Sequence, residues 1–189
     1  VDIDASILGR TPDNVTGWVK ISDLNFSDGK DKTISLSYID IDAAKEDSLR
    51  NLSLHSAPID ADIKGVFSFA SLPTELKKIV GSIYPALIPT SDMAAQSGPT
   101  TDMNLNINLK EDTVLSRFFK LPVDIIYPVK LNAIAKAANG LIGFELDAPY
   151  LRQKNKLIEN TAISGFIDAA NDSSLVTIKT SFPTKNGMM

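Results

Sequence analysis

The sequence predicts a mainly β protein, an extended antiparallel sheet that curls. Three observations predict it: apolar residues recur at every second position over long stretches, Asp-Gly and Asn-Gly dipeptides punctuate them, and one block of sequence is written twice. Alternation at period two gives a strand one dry and one wet face, because successive side chains point to opposite sides of the pleat.

The first third carries "TISLSY", which puts Ile34, Leu36 and Tyr38 together, and "PIDADIKGVFSF", which groups Ile59, Ala61 and Ile63 with Phe67 and Phe69. Between Tyr38 and Ile39 the apolar parity switches, which predicts a β-bulge or a twist that re-aims the face. In "TDMNLNINLK", Met103, Leu105, Ile107 and Leu109 alternate with asparagines. In "PVDIIYPVKLNAIAKA" one parity is held by Val123, Ile125, Tyr127, Val129, Leu131, Ala133 and Ala135. Pro128 cannot donate to a ladder, so that segment needs an edge, a bulge or a break. Asp28-Gly29 and Asn139-Gly140 are hairpin signals.

Two stretches break the alternation. "SLPTELKKIVGSIYP" spaces Leu72, Leu76, Ile79, Val80 and Ile83 as a helix, with Ser71 to cap, Pro73 in the first turn and Pro85 to stop it. "EDTVLSRFFKLP" predicts a shorter amphipathic helix presenting Val114, Leu115, Phe118 and Phe119. Residues 89–102, rich in Ser, Thr, Gly and Pro, read as a flexible loop. The expected organisation is a first β-meander unit plus helix over 1–88, the loop at 89–102, and a short helix plus second meander over 103–189, all one structural domain. The chain begins at Val1 and stops at "NGMM", which leads us to expect a segment of a longer protein.

The doubled block is most visible in "IDAAKEDSL" at 41–49 and "IDAANDSSL" at 167–175. Around it, the stretches from Gly17 and from Gly140 share one order: glycine, strand, polar turn, strand, the IDAA segment, Ser-Leu, strand. Each is expected to be a three-strand meander with its turn at the Lys-Glu-Asp or Asn-Asp-Ser stretch. Repeated meanders bury their apolar faces on neighbouring copies.

Chemistry-bearing groups are sparse. The net charge of −4, without like-charge blocks, gives no footprint for nucleic acid. There is no cysteine, and His55 is the one histidine, so thiolate catalysis and multi-histidine metal sites are excluded. Asp40 with Asp42, and Asp60 with Asp62, place carboxylates two apart on one strand face, but the glycine and glutamate of a calcium loop are missing. Four Asn-x-Ser/Thr triplets begin at Asn14, Asn25, Asn51 and Asn171, a pattern short enough to arise by chance. No nucleophile elbow, phosphate loop or dinucleotide fingerprint is present. The expectation is a protein without catalytic residues, metal or cofactor.

What remains is the dry face. Curled, an extended sheet leaves an apolar trough, whose expected lining is Ile34, Leu36, Ile63, Phe67, Met103, Leu105, Ile107, Leu109, Ile125, Val129, Leu131, Ile142, Phe144 and Leu146. The alternative is a closed β-sandwich used for adhesion or carbohydrate binding.

The stretches "NVTGWVKISDLNF", "KTISLSYIDIDAAKEDSLRNLSLHSAPIDADIKGVFSF", "LPTELKKIVGSIYPAL" and "LDAPYLRQKNKLIENTAIS" resemble the periplasmic repeats of TamB and its AsmA-like relatives, especially those of Bacteroidetes. The likeness runs from about Gly17 to Phe182 and rests on a pattern of Gly, Asp, Leu and Ser positions. It implies a folded-over sheet, the β-taco, in a parent anchored in the inner membrane and crossing the periplasm. It also implies phospholipid or another apolar chain as cargo, a role in outer-membrane protein assembly, and a BamA-type barrel protein as partner.

Overall fold

The structure is a computed structural model, and it describes residues 1–27, 33–70, 74, 102–110, 123–136, 140–154, 156–168, 171 and 173–181. Eleven strands occupy them: β1 (Asp2–Leu8), β2 (Thr16–Ser27), β3 (Thr33–Glu46), β4 (Leu49–Ser56), β5 (Ile59–Val66), β6 (Asp102–Leu109), β7 (Asp124–Ile125), β8 (Val129–Lys136), β9 (Leu141–Gln153), β10 (Lys156–Asp168) and β11 (Ser173–Ser181). They form one antiparallel sheet in the order β1-β2-β3-β4-β5-β6-β8-β9-β10-β11, with β7 on β9. The path never folds back into a second sheet, so the closed sandwich is not the architecture. The helix expected at 71–85, apart from the single residue Thr74, the helix expected at 111–122 and the loop from 89 to 101 lie outside the described residues; Asp102 already belongs to β6.

Local chemistry accounts for the connections. Each hairpin signal falls between paired neighbours, Asp28-Gly29 between β2 and β3 and Asn139-Gly140 between β8 and β9. Gly140 takes a φ of +62°, which glycine adopts without steric cost. Pro128 marks a break: β7 pairs with Arg152 and Leu151 of β9, β8 with residues Leu141 to Asp147 of the same strand. The doubled block is the pair of meanders β2-β3-β4 and β9-β10-β11, with Ile41–Ala44 near the end of one middle strand and Ile167 and Asp168 at the end of the other. The first copy stays in β3 through Glu46, so its turn is Asp47-Ser48, one step later than the polar residues suggest. Asp47 adopts the left-handed φ of +53° that this tight turn needs.

Register makes the faces. Ala5, Val19, Ile41, Leu54, Ala61, Ile107, Leu131, Leu146, Ile163 and Ile178 stand opposite one another in turn across ten strands. Beside them runs a second row: Ile7, Gly17, Ala43, Leu52, Ile63, Leu105, Ala133, Phe144, Gly165 and Val176. The row between these two points to the other face and reads Ser6, Trp18, Asp42, Ser53, Asp62, Asn106, Asn132, Glu145, Ser164 and Thr177.

The apolar face is covered at its centre. Ile63, Phe67, Met103, Leu105, Ala133, Ala135 and Phe144 form one buried cluster, and Ile125, Val129 and Ala148 a second. At Gly165 an added Cβ would lie 2.8 Å from the Phe144 ring, so the missing side chain makes room for the ring to cross β10. Toward the terminal strands the same face opens to solvent.

No β-bulge, one of the two expected causes, marks the parity switch at Tyr38. Ser22 faces Tyr38 and Leu24 faces Leu36 in unbroken register, with no residue inserted; between Ser22 and Leu24, Asp23 takes a φ of +52°. By alternation along β3, Leu36 shares the side of Tyr38 and Asp40, opposite Ile39 and Ile41.

Centre and edge therefore differ in energetic weight. Met103→Ala should cost about 2–5 kcal/mol by leaving a cavity at a fully buried site, whereas Ile178→Ala at the exposed edge should change stability by less than about 1 kcal/mol. Urea titrations of the two variants followed by circular dichroism test the contrast.

Candidate functional site

An apolar concavity lies on the dry face over β1 to β4. It has a volume of about 290 Å³ and its lining includes Ile7, Val15, Gly17, Val19, Ile41, Ala43, Leu52 and Phe69. Strand residues supply its floor through the two apolar rows. Phe69, from the segment after β5, forms part of its wall.

A carboxylate holds Phe69 there. Between β1 and β2 a 3-10 turn, Pro12–Asn14, presents Asp13. The Phe69 backbone N–H donates to Asp13 Oδ1 at 2.7 Å and the Ser68 hydroxyl donates to Asp13 Oδ2 at 3.0 Å. Arg50 on β4 donates to the Asp13 carbonyl at 3.3 and 3.1 Å, and Lys45 on β3 donates to Asn14 Oδ1 at 2.7 Å. The Arg50 guanidinium also lies 5.9 Å from the centre of the Phe67 ring, which meets Phe69 edge-on at 5.6 Å. The tip of the first hairpin is thus clasped to the end of β5. The Phe69 N–H, followed by the Ser68 hydroxyl, holds the Asp13 carboxyl below its ordinary value, with Arg50 and Lys45 adding smaller pulls in the same direction.

The wet face carries a second polar cluster. Lys110 Nζ donates to Asp60 Oδ1 at 2.8 Å and to the Ser56 carbonyl at 2.7 Å, and His55 Nδ1 lies 3.3 Å from the same Asp60 oxygen. Burial pushes the Asp60 carboxyl up, but hydrogen bonds from Lys110 and His55 outweigh it and leave the group lowered. Its hydrogen bond to Asp60 in turn raises the Lys110 ammonium. Asp40, Asp42 and Asp62 share this face, and among the described residues no group of three or more Asp, Glu or His is placed to hold a metal ion. Two broader depressions also open on this side. One, of about 410 Å³, includes Ile134, Gly143, Phe166 and Leu175; the other, of about 680 Å³, includes Leu49, Asn51 and Lys64, and both touch Asn104.

The expected trough residues separate into groups. Ile63, Phe67, Met103, Leu105 and Phe144 are buried in the first cluster with Ile107, Leu131 and Ile142 packed against it. Ile125 and Val129 belong to the second cluster, with Leu109 and Leu146 against it. Leu36 falls on the opposite side of β3, and Ile34 is placed through its backbone pairing with Phe26 alone. None of the fourteen lines the concavity beneath Phe69. Its floor residues were readable in the alternation of "DIDASIL" and "GWVKI"; Asp13, in a polar turn, gave no signal of its distant partner.

Fold and site together define a class: a single-layer antiparallel meander with one apolar face, one polar face and a dry concavity toward one side. Set against models of protein families, curated proteins and solved structures, the chain matches none of them.

The clasp predicts a pH-dependent effect. Asp13 has a lowered carboxyl in the folded chain, so its contribution is present above the ordinary value of 3.8 and is lost as pH falls through the lower folded-state value. Asp13→Ala should therefore reduce the melting temperature at neutral pH, and the difference from the parent chain should shrink below pH 3.8. Thermal melts at a series of pH values read this directly.

Proposed function

We propose that this chain is a non-enzymatic carrier surface for phospholipid acyl chains, one segment of a periplasm-spanning bridge of the kind TamB and AsmA-like proteins form. The observation that carries the reading is the pair of apolar rows, free of charged side chains across ten strands, whose outer ends at Ala5, Ile7, Val176 and Ile178 stay exposed. In this reading the sheet curls about its dry face in the manner of a β-taco, so that the rows become the lining of a trough. Acyl chains then move along it at little cost. Transfer from water gains about 0.8 kcal/mol per buried CH₂, and a bilayer offers about the same, so exchange between membrane and trough is nearly neutral. Such a role asks for no catalytic group. Delivery at the outer membrane by way of a BamA-type barrel protein, and support of outer-membrane protein assembly, belong to the same proposal.

Native mass spectrometry of the chain purified from diderm bacterial membranes should find bound phospholipid, and a fluorescent fatty acid should bind the delipidated protein. Val15→Asp brings a carboxylate to the concavity from just outside β2, and should weaken fatty-acid binding at least about tenfold with the strand signal in circular dichroism unchanged. Protein that carries no lipid and takes up no fatty acid would end this reading.

A further inference from the structure

Among the described residues β1 and β11 are the outermost strands of the sheet: β1 pairs with β2 and β11 with β10, and no described strand lies beyond either. Large apolar side chains are exposed on both, Ile3, Ile7 and Leu8 on β1 and Leu175, Val176 and Ile178 on β11. Neither strand contains proline, and their charges are opposite, Asp2 and Asp4 against Lys179. An uncovered strand of this kind presents outward N–H and C=O groups that another strand can complete.

The strand count decides which strand fits. Ten strands lie on the path, each antiparallel to the last, so β11 runs opposite to β1. A copy set beyond β11 in the same orientation therefore brings its β1 antiparallel to β11. Hydrogen-bonded and non-hydrogen-bonded pairs alternate across such a row. From Ala5 to Ile178 there are nine pairings, so the first and last are of one kind. The outward groups at Ala5 and Ile178 are then matched for a tenth pairing of the other kind.

We propose that copies of this chain associate head to tail, β11 of one on β1 of the next, with Ile178 opposite Ala5. That register continues each apolar row onto itself, because Val176 then meets Ile7. On the polar face it sets Lys179 opposite Asp4 and Thr177 opposite Ser6, and it covers Leu175 with Leu8. The contact uses the two edges and does not depend on whether the dry face binds lipid.

Sedimentation velocity of the full chain from micromolar to millimolar concentration should show mass rising past the dimer, since a head-to-tail contact does not close on itself. Asp4→Lys or Lys179→Glu should each weaken association about threefold to tenfold, and the two together should restore it. Ile7→Lys and Val176→Lys, at positions 56% and 47% exposed, should each give a folded monomer by circular dichroism. Mixed, they should form a one-to-one dimer and nothing longer, because one retains a working β11 and the other a working β1. A chain that stays monomeric at millimolar concentration, association unaffected by Lys179→Glu, or an equal mixture without dimer overturns the proposal.

Discussion

Register is the constraint on which everything else here depends. Every strand from β1 to β11 must meet its neighbour at one alignment for the apolar rows to run unbroken, and a slip of a single residue would turn a whole strand's apolar set to the wet side. Several devices hold that alignment. Asp47, in a left-handed turn, closes the β3–β4 hairpin, and Gly65 takes a φ of +144° where any Cβ would collide with the Asp102 carbonyl of the adjacent strand. Such close backbone approach admits glycine alone, so the β5–β6 pairing, made across the longest sequence gap in the sheet, has a marker of its own.

Polar groups reinforce the same alignment from outside the rows. Asp13 ties the β1–β2 turn to the residues after β5, and Lys110 ties the end of β6 to the β4–β5 turn through Ser56, Pro58 and Asp60. Both ties link segments more than fifty residues apart, at opposite ends of the strands concerned. Each is a half-buried arrangement that solvent still reaches, so its value is geometric more than energetic: partly screened charges contribute modestly to stability but still select one alignment.

Much of this was legible because it is local. Period-two alternation, Asp-Gly and Asn-Gly dipeptides, the break at Pro128 and the doubled meander all act within a hairpin, and the structure pairs the flanking strands accordingly. The two IDAA copies even share their facing, with Ile41 and Ile167 on the dry side and the following Leu49 and Leu175 on the wet side, 57% and 56% exposed. What was not legible is long-range. Asp13 reads as one more turn aspartate until Phe69 arrives from a distant segment. Leu36 reads as lining because its parity agrees with its own neighbours, while the face it joins is set by Ile39 and Ile41 further along the strand. Apolar alternation also says nothing of where along a sheet cover ends, so buried Met103 and exposed Ile178 look alike in the sequence.

The meander has a consequence for how such a chain is made. Nearly every strand pairs with its immediate predecessor, so each hairpin can close as soon as its second strand emerges, and low sequence separation favours rapid pairing. The exceptions are β7, which pairs with β9, and β8, which pairs with β6; the widest gap lies between the paired strands β5 and β6, 35 intervening residues from 67 to 101. The sheet therefore divides kinetically into an amino-terminal set of five strands and a carboxy-terminal set, each able to zip along its own length before the seam between them is sewn. Synthesis would deliver the first set complete, with β5 as a waiting template for β6.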